Sequence, residues 1–136
     1  GGDVLIYGAT EPSAFSRGMG WSEITREIHR QGGVAVAAHP FRWGQPFERV
    51  VADAKAEIDG IEVMSNNMDE SLRRLAAELL ARSPHFAQLG NSDSHDPATV
   101  GCCHTDFDAD IRTITDLVAA IRGRKGVARE GFPRNQ

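Results

Sequence analysis

Two short segments carry side chains of the types and spacing that bind metal ions. In AVAAHPFRW, residues 35–43, a run of small apolar residues ends in His39, and in GNSDSHDP, residues 90–97, Asp93 and His95 stand two apart behind another apolar run. Imidazole nitrogen and carboxylate oxygen are donors that zinc, manganese and iron accept. Each segment alone also reads as an ordinary turn, with the aspartate capping backbone amides and the histidine solvated. Three such groups, each at a strand end, favour one shared site. Arg42, three residues past His39, has the planar fork that meets a phosphate through two hydrogen bonds. Its plain alternative is a surface arginine lying over Trp43.

The elements that would position these groups alternate between strand and helix. DVLIYG (3–8) is apolar, aromatic and closed by glycine, as a strand should be. Trp21, Ile24 and Ile28 recur at helical spacing and stop at Gly32-Gly33. VAVAAH (34–39) is the unbroken apolar run of a parallel strand covered on both faces. A short helix over Phe47 to Lys55, a strand at GIEVM (60–64) and an amphipathic helix over 69–82 follow. FAQLG (86–90) and GCCHTDF (101–107) read as further strands, 114–122 as a last helix, and the chain from Arg129 as a frayed tail. This alternation predicts an α/β fold with a parallel sheet. Such folds gather chemistry at the carboxyl ends of their strands, where His39, Asp93 and His95 lie.

Composition narrows the class. The chain has 136 residues, 40% hydrophobic and 25% charged, with a net charge of -4. It is long enough for one domain with a sizeable core. The acidic balance argues against a nucleic-acid partner, whose phosphates call for basic surfaces. No apolar run is long enough to span a bilayer. The two cysteines, Cys102 and Cys103, are adjacent and cannot staple distant segments, which fits a reducing, cytoplasmic compartment. On one strand they point to opposite faces, so at most one of them, with His104 beside it, could face a site; buried small hydrophobes are the default reading. His29 and His85 read as structural or solvated, and Asp96 as a loop cap before Pro97.

AVAAHPFR, then DGIEV, then GNSDSHD, in this order and spacing, resemble the later motifs of the PHP (polymerase and histidinol phosphatase) family. The segment GWSEITREIHRQGGVAVAAHPFR looks like PHP proteins that are metal-dependent phosphoesterases. The resemblance implies a partial, distorted (βα) barrel of the PHP type over residues 1–128, with 129–136 as a tail. It implies divalent metal ions (Zn, Mn or Fe), two or three in the intact protein, held here by His39, Asp93 and His95. Asp3 opens its strand where the family often has a histidine, and becomes a fourth candidate ligand. Arg42 becomes a candidate for a small phosphorylated substrate, a metabolite or nucleotide.

Glu62, in DGIEV, is expected to orient a ligand rather than bind metal, and Asn66 is its companion candidate, with helix capping as the alternative. The family's remaining ligands would precede residue 1, so the chain is expected to be a C-terminal portion lacking early strands. An uncovered strand edge would then favour self-association or an N-terminal fragment that completes the barrel. The alternatives are a non-catalytic remnant or interaction module and, further off, an amidohydrolase with a related metal cluster.

Overall fold

The computed structural model describes residues 2–53 and 56–132. Its strands are β1 (Val4–Tyr7), β2 (Val34–Ala37), β3 (Gly60–Ser65), β4 (Ala87–Asn91), β5 (Cys103–Phe107) and β6 (Gly126–Glu130). The α-helices are α1 (Trp21–Arg30), α2 (Phe47–Ala52), α3 (Glu70–Arg82) and α4 (Ile114–Arg122). Ala54 and Lys55, the end of the helix expected from Phe47, lie outside the described residues, as does the tail beyond Phe132. No helix is long and apolar enough to cross a membrane, among the described residues.

Four strands form one sheet in the order β1-β2-β3-β4, and β5 and β6 form a separate two-stranded sheet. The parallel expectation holds from β2 to β4. It fails at both ends, because β1 runs antiparallel to β2 and β5–β6 is an antiparallel hairpin. The fold is therefore mixed α/β, with a parallel centre. Arg129 and Glu130, expected in a frayed tail, belong instead to β6, opposite His104 and Cys103. Their charges hide the strand from a search for apolar alternation, since each finds an ionic partner, Asp106 for Arg129 and Arg73 for Glu130.

β2 shows why a continuous apolar run becomes a central strand. All four of its residues are buried. Val34 and Val36 pack with Ala87, Leu89, Val118 and Ile121 on the side of α4. Ala37 faces a second core made by Phe41, Phe47, Ile58, Ile61, Leu79 and Phe86. Successive side chains point to opposite faces, so a strand covered on both must be apolar throughout.

The helix ends are set by local chemistry. Glu23 accepts the Gly20 N–H at 2.8 Å and closes the first turn of α1. Asp69 caps α3 by accepting from Leu72, as Thr113 caps α4 by accepting from Asp116. After α1 the chain turns at Gly32 (φ 82) and passes so close to the Tyr7 carbonyl that only glycine fits at position 33. His29 joins α1 to the sheet: its Nε2 lies 2.7 Å from Asp59, whose same oxygen accepts the Ala35 N–H at 2.8 Å. That is the structural role expected for His29.

Candidate metal and phosphate site

The carboxyl ends of β2, β3 and β4 lead into one polar cavity of about 620 Å³, lined among others by Asp3, His39, Arg42, Trp43, Asp93 and His95. β2 delivers His39 two residues beyond its last paired position, and the turn after β4 delivers Asp93 and His95. Asp3 arrives by another route. Because β1 is antiparallel, its amino end lies beside the carboxyl end of β2, with Val4 opposite Ala37 and the Asp3 carbonyl accepting from Ala38 N–H at 3.1 Å. A parallel β1 would have left Asp3 at the far end of the sheet.

His39 is 4% exposed, and its Nε2 lies 3.3 Å from Asp3 Oδ2. That separation is close to what two ligands of one ion adopt when each stands about 2.0–2.2 Å from it. Its other ring nitrogen, Nδ1, is buried and has no hydrogen-bond partner. The backbone is also unusual, with positive φ at His39 (27°), Phe41 (70°), Trp43 (57°) and Asp93 (45°). Non-glycine residues avoid this region, and strain of this kind collects at functional sites. An orphaned buried nitrogen on a strained residue is not explained by stability.

Asp93 and His95 are held by their neighbours. Asn67 Nδ2 donates to the Asp93 carboxylate and, at 3.2 Å, to its backbone carbonyl. His95 Nδ1 sits 3.0 Å from the same carbonyl. A carbonyl only accepts, so Nδ1 carries the proton and Nε2 keeps its lone pair for a cation. Arg42 lies 3.8 Å from Asp93 Oδ2 and 4.5 Å above the centre of the Trp43 ring. Its guanidinium thus covers Trp43, and the residue lines the cavity.

Glu62 stands behind these residues. It is 2% exposed; one oxygen accepts the His39 backbone N–H at 2.6 Å and the other accepts from Asn91 Nδ2 at 2.8 Å. Burial pushes its carboxyl up from the ordinary range, against the pull of those two hydrogen bonds, and the charge of Asp93 adds to the push. The pairing of β3 with β4 shifts register between Glu62 and Met64. Irregularities of this kind redirect side chains next to sites. Asn66 lines the cavity and is exposed, while the amide that grips Asp93 belongs to Asn67. Sequence reasoning missed both Asn67 and Asn91. The adjacent pair Asn66-Asn67 was the available signal for the first, and Asn91's place at the end of β4 for the second.

Of the other candidates, Asp96 lines the same polar cavity, and Cys103 and His104 line the larger adjoining one together with His39 and Asp93. Cys103 is buried, with its Sγ 3.8 Å from Arg73 and its thiol pushed up by burial, while Cys102 is half-buried. His104 contacts the Gly101 carbonyl and Asp106. Asp96 accepts the Ala98 N–H at 2.9 Å, as expected of a loop cap.

In kind and direction the donors fit a divalent ion. In number they do not complete a site, since no group of three His, Cys, Asp or Glu side chains is close enough to hold a metal among the described residues.

Comparison with known proteins gives a family match over part of the chain and superposed structures over most of it. Residues 72–125 match the family model described as PHP-associated. The chain superposes on a two-domain protein from Bacteroides vulgatus containing a predicted PHP-like metal-dependent phosphoesterase, with a TM-score of 0.63, 18% identity and 83% of this chain covered. It also superposes on an amidohydrolase from Chromobacterium violaceum, solved with bound sulfate and no metal, with a TM-score of 0.56, 26% identity and 82% covered. The chain spans only 36% and 38% of those two chains. A search of curated proteins gave no match. The chain thus shares the fold of these structures over most of its length and matches the PHP-associated model over residues 72–125.

Proposed function

We propose that this chain carries part of the active site of a metal-dependent hydrolase of phosphate esters. The observation that supports this most is the meeting of Asp3, His39, Asp93 and His95 at one cavity that also contains Arg42. His39, Asp93, His95 and Asp3 would hold zinc, manganese or iron, together with ligands supplied from outside these residues. A bound divalent ion supplies an acidified water and a counter-charge for phosphate oxygens.

The chain's own residues do the rest. Glu62 fixes the His39 backbone, and Asn67 fixes the Asp93 carboxylate, so two candidate ligands keep their aim. Arg42 brings a guanidinium to the same space, where it can exchange its long contact with Asp93 for a bidentate grip on a phosphate. The small phosphorylated substrate enters on this side. A complete site requires more polypeptide, from an N-terminal segment that completes a PHP-type barrel or from a second copy. The larger cavity beside the site, about 710 Å³ and lined by Leu5, Tyr7, Leu89, Phe107 and Leu117 among others, supports such a partner.

The test combines metal titration with an assay of p-nitrophenyl phosphate hydrolysis. Manganese or zinc should bind the chain, and His39→Ala and Asp93→Asn should each remove that binding. In the chain joined to its completing segment, Arg42→Ala should raise KM for phosphate esters and spare the metal. Absence of metal binding sinks the proposal. The incomplete donor set also supports a second reading, a non-catalytic interaction module that keeps one ion. Metal binding without turnover, in the chain joined to its completing segment, selects that reading.

A further inference from the structure

We propose that Trp43 is a stacking platform for a flat ring carried by the substrate, so that the site prefers phosphate esters of aromatic groups to those of alkyl alcohols. This rests on the phosphate-ester reading above and extends it to the organic half of the substrate.

Trp43 is 68% exposed although it is among the largest apolar side chains of the protein. It stands at the wall of the polar cavity, beside Arg42 and His39. Two groups fix its ring without burying it: the Arg42 guanidinium lies over one face at 4.5 Å, and the His39 ring meets it edge-on, 5.3 Å between centroids. The backbone beneath is held in place. Phe41, two residues earlier, is buried and packs edge-on against Phe47 at 5.8 Å. Trp43 itself has φ 57, a left-handed conformation that bulky residues rarely adopt.

The turn thus anchors one aromatic residue in the core and presents the next to solvent in a strained backbone. A residue that only filled space would be buried, and one that only decorated the surface would not need the strain. An indole backed by a guanidinium pairs a surface for flat rings with a cation for the phosphate they carry. Stacking on aromatic side chains is tolerant of ring identity.

The experiment uses Trp21→Phe, which leaves Trp43 as the sole indole, since the chain has two tryptophans. Phenyl phosphate, glycerol 3-phosphate and inorganic phosphate are titrated with and without manganese, reading tryptophan emission and heat of binding. Phenyl phosphate should quench Trp43 and bind on the order of tenfold more tightly than glycerol 3-phosphate. Trp43→Ala should bring that ratio to about one, and Trp43→Phe should keep most of the preference. A ratio near one in the parent protein, or one that survives Trp43→Ala, overturns the platform and leaves the phosphate site standing. Ring-dependent quenching without any binding of inorganic phosphate or glycerol 3-phosphate keeps the platform and overturns the phosphate-ester reading. Failure of all three ligands overturns both.

Discussion

The Glu62 carboxylate accepts the backbone N–H of His39 at 2.6 Å, so β3 fixes the turn that follows β2 through a buried acid. The same carboxylate receives Asn91. Glu62→Leu leaves both donors without an acceptor and should destabilise the fold by about 2–4 kcal/mol. Glu62→Gln keeps one acceptor oxygen, and Asn91 can turn its amide to match the new one, so its cost should be clearly smaller. Urea denaturation of the two variants decides the matter, and equal losses would show that the hydrogen bonds carry no weight.

Asn67 and Asn66 separate by the same reasoning. Asn67 grips the Asp93 carboxylate, whereas Asn66 only lines the cavity. Asn67→Ala should weaken manganese or zinc binding by about 10- to 100-fold, as loss of a ligand's hydrogen-bond partner usually does. Asn66→Ala should leave it within about twofold. Calorimetric titration of both variants gives the comparison, and the reverse ranking would remove Asn67 from the site.

Arg73 ties α3 to the ends of two sheets. Its guanidinium donates to the carbonyls of Met68 and Ser65 at 3.0 and 3.1 Å and pairs with Glu130 of β6 at 3.0 Å. Lysine keeps the charge but cannot reproduce the fork. Arg73→Lys should cost about 1–3 kcal/mol. Glu130→Gln removes only the exposed ion pair and should cost under about 1 kcal/mol. Thermal unfolding of the pair tests whether the carbonyl contacts or the charge matter.

Acid should act on α4 through Asp116. The N–H groups of Arg112 and Thr113 both donate to its Oδ2 at 3.0 Å, and hydrogen bonding holds its carboxyl below the usual aspartate range. A carboxyl lowered on folding contributes stability above its unfolded value, and that contribution is lost as pH falls through the folded value. Asp116→Asn should therefore melt earlier than the parent at pH 7, and the gap should close as pH drops below about 4. A gap that is constant with pH would assign the effect to helix propensity instead.

Much of the architecture was legible because apolar runs and capping residues are local signals. β2 reads as doubly covered from VAVA alone, and α3 begins behind its Asp69 cap and ends before Pro84. Direction was not legible, since the four residues of β1 look the same whichever way the strand runs. β6 escaped because its charged residues are satisfied by partners distant in sequence. The donors His39, Asp93 and His95 announce themselves by type and spacing. Asn67, one position from Asn66, does not, since only the geometry of the turn decides which amide points inward. The left-handed backbone at His39, Phe41 and Trp43 was equally hidden, because the one glycine of the turn, Gly44, follows these residues instead of occupying their positions.

Asp3 owes its place beside His39 to the antiparallel pairing of Val4 with Ala37. Its position is therefore set by counting residues. One amino acid inserted between Asp3 and Val4 would leave β1 paired as before but push the carboxylate about 3.3 Å further along and turn it to the other side of the sheet. The core would scarcely change, and one oxygen donor would be subtracted from the cavity, so the fold and the cavity's donor set can be altered separately by a single codon.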